Sequence, residues 1–122
     1  MDVRITGIRV DGDASREYVT LHVDRDCDLV DYVLADTTYV GDGAVSNELR
    51  HMFWFPSTRV EAGDTVILRT GRGTDTQEEK DDGSTKHRFY WGLRSAVWND
   101  TGDAAVLMKI DEWAFRRAGA AR

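Results

Sequence analysis

The stretch HMFWFPSTRVEAGDTVILRTGRG, residues 51–73, decides how the rest of the chain is read. Phe53 and Phe55 alternate with Trp54, so a strand through them turns two aromatics to one side and one to the other. Pro56 ends that strand, because proline has no N–H to give to a ladder. Glu61-Ala62-Gly63-Asp64 is turn chemistry, and the short β-branched run after it, Thr65 to Arg69, is a second strand. That strand stops at Thr70-Gly71-Arg72-Gly73. A glycine-rich end after a strand either cradles a phosphate or closes the strand. Here the third glycine of the dinucleotide fingerprint is missing, a polar segment replaces the helix, and no Gly-Lys-Ser/Thr follows. Gly71 and Gly73 therefore read as strand-end positions that allow positive φ.

The same alternation runs through the chain. Val3, Ile5 and Gly7 share one side of a first strand. Val19, Leu21 and Val23 share a face opposite Tyr18, Thr20 and His22, and Tyr32 and Leu34 share another. Gly41-Asp42-Gly43 marks a hairpin or loop, Arg88 to Trp91 a short strand, and the apolar run Ala104 to Ile110 a late one. Residues 111–118 fit a helix or a final strand equally well. About eight to nine short strands at intervals of roughly ten residues predict an all-β, antiparallel sandwich or barrel. Phe53, Phe55, Tyr32 and Trp98 are expected in its core, and Trp54, Tyr18 and Tyr90 on the opposite parity.

With 122 residues the chain suits a single domain, 1–122, large enough to fold without a staple. Cys27 is its one cysteine, which excludes an internal disulfide and a cysteine metal cluster, and the carboxylates of DRDCDL should oppose thiolate formation. MDVRITGIRV carries no apolar run of signal length, and nothing approaches the ~20 apolar residues of a membrane span. The chain as written is expected to be soluble and cytoplasmic, or extracellular if a leader has been removed. Its net charge of −6 sets a bulk field that repels phosphate.

Residues 74–88 hold no apolar side chain and read as a long exposed loop, or as a solvated hairpin; residues 116–122 read as a tail. Around that loop Arg69, Arg72, Lys86, His87, Arg88 and Arg94 are candidate partner contacts, interleaved with Asp75, Glu78, Glu79, Asp81 and Asp82. His22, His51 and His87 are far apart and form no metal motif. Asp24, Asp26 and Asp28 have the spacing that opens a calcium loop, but Leu29 stands where that loop needs glycine and Ala35 where it needs glutamate. No Gly-x-Ser-x-Gly elbow is present, and no acid sits in an apolar run that would raise its pKa toward catalytic use. No catalytic residue, metal or cofactor is expected. Asn99-Asp100-Thr101 is a glycosylation sequon that reads as a turn.

Several motifs, in order, resemble the lamin tail domain family. They are Glu17, Val19 and Leu21; Asp28, Leu29, Leu34 and Asp36; Phe53, Phe55 and Pro56; Val60, Gly63, Val66, Thr70 and Gly71; Trp91 and Gly92; and Asn99, Gly102, Asp103 and Leu107. The resemblance covers about residues 1–110. Departures are Val23 for an asparagine, Asp31-Tyr32 for Gly-Trp, and Lys109-Ile110-Asp111 where an aspartate follows the last strand. The resemblance implies an immunoglobulin-like β-sandwich with no catalytic residues. In nuclear lamins such a domain is a platform for proteins and chromatin, and in prokaryotes it is appended to secreted or surface hydrolases and nucleases as an attachment module.

The expected function is a non-catalytic interaction module that binds a protein partner, or copies of itself, through a sheet face, an open edge or the 74–88 loop. The alternative is an accessory nucleic-acid-binding domain using the basic residues of the 69–94 region.

Overall fold

A computed structural model describes residues 1–99 and 102–119. The turn expected at Asp100 and Thr101 and the end of the 116–122 tail lie outside the described residues. The chain is an all-β sandwich, with eleven strands and one short 3-10 turn among the described residues. The first sheet holds β1 (Val3–Arg9), β2 (Tyr18–Val23), β8 (Thr65–Arg69), β10 (Thr85–Tyr90) and β9 (Thr76–Glu79), in the order β1-β2-β8-β10-β9. The second is built on β4 (Tyr32–Gly41), flanked by β11 (Asp103–Lys109) on one side and by β6 (Met52–Trp54) and β5 (Ala44–Val45) on the other. β3 (Cys27–Asp28) and β7 (Arg59–Val60) pair at a corner.

Alternation decides what lies between the sheets. Val19, Leu21 and Val23 of β2, Val66 and Leu68 of β8, and Phe89 of β10 are buried and face Tyr32 and Leu34 of β4 with Phe55 and Trp98. Phe53, Phe55 and Phe89 meet edge-on or tilted, with ring centroids 5.0–6.3 Å apart, the geometry aromatic quadrupoles favour. Glu17 is also fully buried, and its carboxylate accepts the Val97 N–H at 2.7 Å, tying the segment after β10 to the start of β2.

Two sequence expectations need correction, and the choice of loop or hairpin for residues 74–88 is resolved. The sandwich is not wholly antiparallel, because β10 enters between β8 and β9 and runs parallel to β8. Residues 74–88 are largely a hairpin, β9 to β10, closed by Lys80 N–H bonding to the Ser84 carbonyl at 2.8 Å. Strand β9 needs no apolar face because it is an edge, exposed on both sides. Residues 111–119 are neither helix nor strand; Trp113 lies edge-on to Trp54 at 4.9 Å.

The glycines of Thr-Gly-Arg-Gly are also there for a different reason than expected. Neither Gly71 nor Gly73 has positive φ; both are sites of close approach. A Cβ on Gly71 would lie 3.0 Å from the Ala14 carbonyl oxygen, and one on Gly73 would lie 2.3 Å from the Tyr90 ring. Gly63 is the position in this stretch that needs the left-handed region, at φ 96° in the Glu61–Asp64 turn. Gly73→Ala is expected to lower stability by about 1–3 kcal/mol in urea titration, since the tyrosine ring must leave its place. Introduced on top of Tyr90→Ala, the same substitution should lose most of that penalty; an unchanged penalty would trace it to the backbone instead.

Candidate partner-binding face

Strands that send Val19, Leu21, Val66, Leu68, His87 and Phe89 inward must send the residues between them outward. The register then sets rows across the outer face of the five-stranded sheet. One row reads Arg4, His22, Thr65, Lys86 and Glu78. The next reads Thr20, Ile67, Arg88 and Thr76, and a third Arg9, Tyr18, Arg69 and Tyr90. The ammonium of Lys80 joins the first row from the hairpin turn, donating to Thr65 Oγ1 at 3.1 Å. Six bases thus gather on one face of a protein of net charge −6.

Their partners divide them. Arg4 is held by Asp24 at 3.1 Å, Arg88 is 3.6 Å from Glu78, and Arg9 is 4.0 Å from Asp11. These pairs are exposed on at least one side and contribute little to stability. Arg69 lies over the Tyr18 ring, 5.2 Å from its centroid. Among the described residues neither Arg69 nor Lys86 has a carboxylate within 4.0 Å. In the third row Gly73 lets the chain lie against the Tyr90 ring, and the Arg69 guanidinium covers the Tyr18 ring.

The six residues proposed from sequence divide accordingly. Arg69, Lys86 and Arg88 are together on this face. Arg72 and Arg94 are exposed at the end of the sheet beyond the Tyr18–Arg69–Tyr90 row, where Gly92 N–H bonds to the Gly71 carbonyl at 3.0 Å and Leu93 N–H to the Thr70 carbonyl at 2.9 Å. His87 is on the opposite face, 3% exposed, with Nε2 3.0 Å from Asp64 Oδ2. Sequence reasoning missed Arg4, Arg9 and Lys80. Arg9 reaches this face only because β1 shifts register between Ile5 and Gly7, which reverses the parity of the residues that follow.

The clustered acids Asp24, Asp26 and Asp28 already have partners in the backbone and in side chains. Asp28 accepts the Val30 and Thr58 N–H groups, each at 2.9 Å, and Ser57 Oγ at 2.8 Å. Asp26 accepts Ala62 N–H at 2.8 Å, while Asp24 faces Arg4. The three aspartates spaced like the opening of a calcium loop therefore have separate partners. Buried Asp36 receives the His51 N–H at 2.8 Å and lies 3.0 Å from its ring Nδ1. Cys27 is buried, and its thiol pKa is raised by that burial first and by Asp2 and Asp31 second. Its sequence neighbours Asp26 and Asp28 are not the cause.

No protein-family model matches the chain, and no curated protein matches it either.

Asp64 joins the face to the core. Oδ2 accepts the Glu61 N–H at 3.0 Å and Oδ1 the Thr85 N–H at 2.9 Å, so one carboxylate closes the turn before β8 and fixes the start of β10. Burial raises its pKa, but these two N–H groups and His87 outweigh that and hold it below the ordinary 3.8. A depressed folded pKa gives stability that is complete above the unfolded value and is lost as pH falls through the folded one. Thermal melts should therefore show the wild type losing stability below about pH 4. Asp64→Asn should cost about 1.5–3 kcal/mol at neutral pH and flatten that acid limb. An acid limb that Asp64→Asn leaves unchanged would assign it to other carboxylates.

Proposed function

We propose that the chain is a non-catalytic interaction module of the lamin tail type that docks an acidic protein segment on the outer face of its five-stranded sheet. The observation that carries this reading is the convergence of Arg4, Arg9, Arg69, Lys80, Lys86 and Arg88 on one face, with Arg69 and Lys86 free of ion-pair partners among the described residues. Maintaining such a face on a chain with 22 acids and 16 bases creates a local field opposite in sign to the whole. An acidic segment would release the screening ions of that face and exchange weak exposed pairs for new ones. The lamin tail resemblance supports a platform role and names no ligand.

A second reading, binding of single-stranded nucleic acid, is favoured by one feature. Tyr18 and Tyr90 flank Arg69 in a single row, and aromatic rings beside a guanidinium make a stacking surface for bases.

Fluorescence anisotropy with labelled polyglutamate and with a labelled single-stranded oligonucleotide, each at low and high salt, separates the two. Polyglutamate is expected to bind, with an affinity that weakens steeply with salt. The triple variant Arg69→Glu, Lys86→Glu, Arg88→Glu should lose at least tenfold in affinity, while its melting temperature stays within a few degrees of wild type. Binding of the oligonucleotide alone, abolished by Tyr18→Ala with Tyr90→Ala, would move the assignment to nucleic acid. Binding of neither probe at low salt, or binding that survives the triple reversal, would overturn the assignment of this face.

A further inference from the structure

The sandwich has several open edges, and among the described strands those other than β11 are short, bulged or charged. β1 carries a register shift between Ile5 and Gly7 and the exposed bases Arg4 and Arg9. β9 is four residues long and includes Glu78 and Glu79. β5 and β6 are two and three residues long. Short, bulged or charged edges resist the addition of another strand. β11 differs: it is seven residues, DAAVLMK, pairs with β4 without a register shift, and has charge only at its ends. Among the described strands none pairs with its other side.

The ladder shows which groups are free. Tyr39 N–H bonds to the Gly102 carbonyl and Ile110 N–H to the Asp31 carbonyl. In an antiparallel pair every second residue turns its N–H and carbonyl to the partner. Gly102, Ala104, Val106, Met108 and Ile110 therefore face β4, and Asp103, Ala105, Leu107 and Lys109 present their backbone groups to the open side.

We infer that β11 pairs with β11 of a second copy of this chain, antiparallel and about a two-fold axis through Val106, joining two four-stranded sheets into one. This inference is independent of the acidic-partner reading, which concerns the other sheet. Pairing over the full strand places Asp103 opposite Lys109 of the second copy and Ala105 opposite its Leu107. These are the four residues whose backbone groups are free, so the ladder closes without a bulge. A parity mismatch would have forbidden it.

Charge follows the same symmetry. Within one copy Asp103 is 2.9 Å from Arg50, and Lys109 is 3.8 Å from Asp2. Across the seam Arg50, Asp103, the second Lys109 and the second Asp2 then alternate in sign. The outer face is apolar up to the edge. Val106 and Met108 stand beside Ala35 and Val33, which stand beside Met52 and Trp54. Val45, Leu49, Val106 and Met108 line a shallow groove there. Pairing at the edge merges two such faces, with Val106 against Val106 at the non-hydrogen-bonded position where side chains approach most closely.

Sedimentation equilibrium of the wild type should report a mass near twice the 13.8 kDa monomer. Ala105→Pro removes an N–H that points to the open side and leaves the bonds to β4 in place. It should yield a monomer with an unchanged far-UV spectrum. In a Cys27→Ser background, Val106→Cys should form an intermolecular disulfide under mild oxidation, because non-hydrogen-bonded pairs hold Cα atoms about 4.5 Å apart. Ala104→Cys, which would face Met108, should not. A wild type that stays monomeric at its highest soluble concentration would overturn the inference. So would a dimer that survives Ala105→Pro, or cross-linking at position 104 as efficient as at 106.

Discussion

The structure depends on one constraint: two sheets must cover each other's apolar faces, and they do so through interlocked aromatics. Phe53, Phe55 and Phe89 meet at near-perpendicular or tilted angles where β6, the residue after it and β10 come together, and Tyr32 and Trp98 complete the layer. The side-chain period of two then leaves no choice for the intervening positions. Once Phe89 and His87 point inward, Lys86, Arg88 and Tyr90 must point outward. The basic face is a consequence of core packing. A slip of one residue in β10 would bury two cations and expose a phenylalanine.

A protein of net charge −6 carries a basic face because its acids are used where the chain turns. Asp13 receives the Ser15 N–H and hydroxyl, and Asp82 does the same for Ser84. Asp28, Asp64 and Asp26 hold the corners near β3, β8 and the Glu61–Asp64 turn. Carboxylates suit these positions because the N–H groups of a turn lack ladder partners and bond readily to a charged acceptor. Lysine and arginine suit the pleated face, where long stems cover neighbours while their heads stay in water. Placing carboxylates at turns and cations on the pleated face draws the two signs of charge partly apart, although they alternate in sequence through 75–88 and Glu78 stays on the basic face, 3.6 Å from Arg88.

The two proposed surfaces are compatible because they belong to different sheets. An acidic segment on the first sheet leaves β11 open, and strand pairing at β11 leaves Arg69 and Lys86 uncovered. A two-fold dimer would present two basic faces in fixed relation, so a partner with repeated acidic segments would gain from binding both at once.

The period-two alternation, the strand-ending Pro56 and the Glu61–Asp64 turn were legible in the residues themselves, because each is a local property of the backbone. They determined that the chain is an all-β sandwich, that Val19, Leu21, Tyr32, Phe55 and Trp98 fill it, and that Trp54 and Tyr18 do not. Alternation cannot say which strand lies beside which. The insertion of β10 parallel to β8, the reversal of parity at the β1 bulge and the use of Asp64 as a clamp all arise from contacts between residues distant in sequence. For that reason His87 reads as a surface base beside Lys86 and Arg88, yet it is a core residue. Arg4 and Arg9 join a face with which they share no sequence neighbourhood. Local pattern decided the kind of structure; only long-range pairing decided which charges stand together.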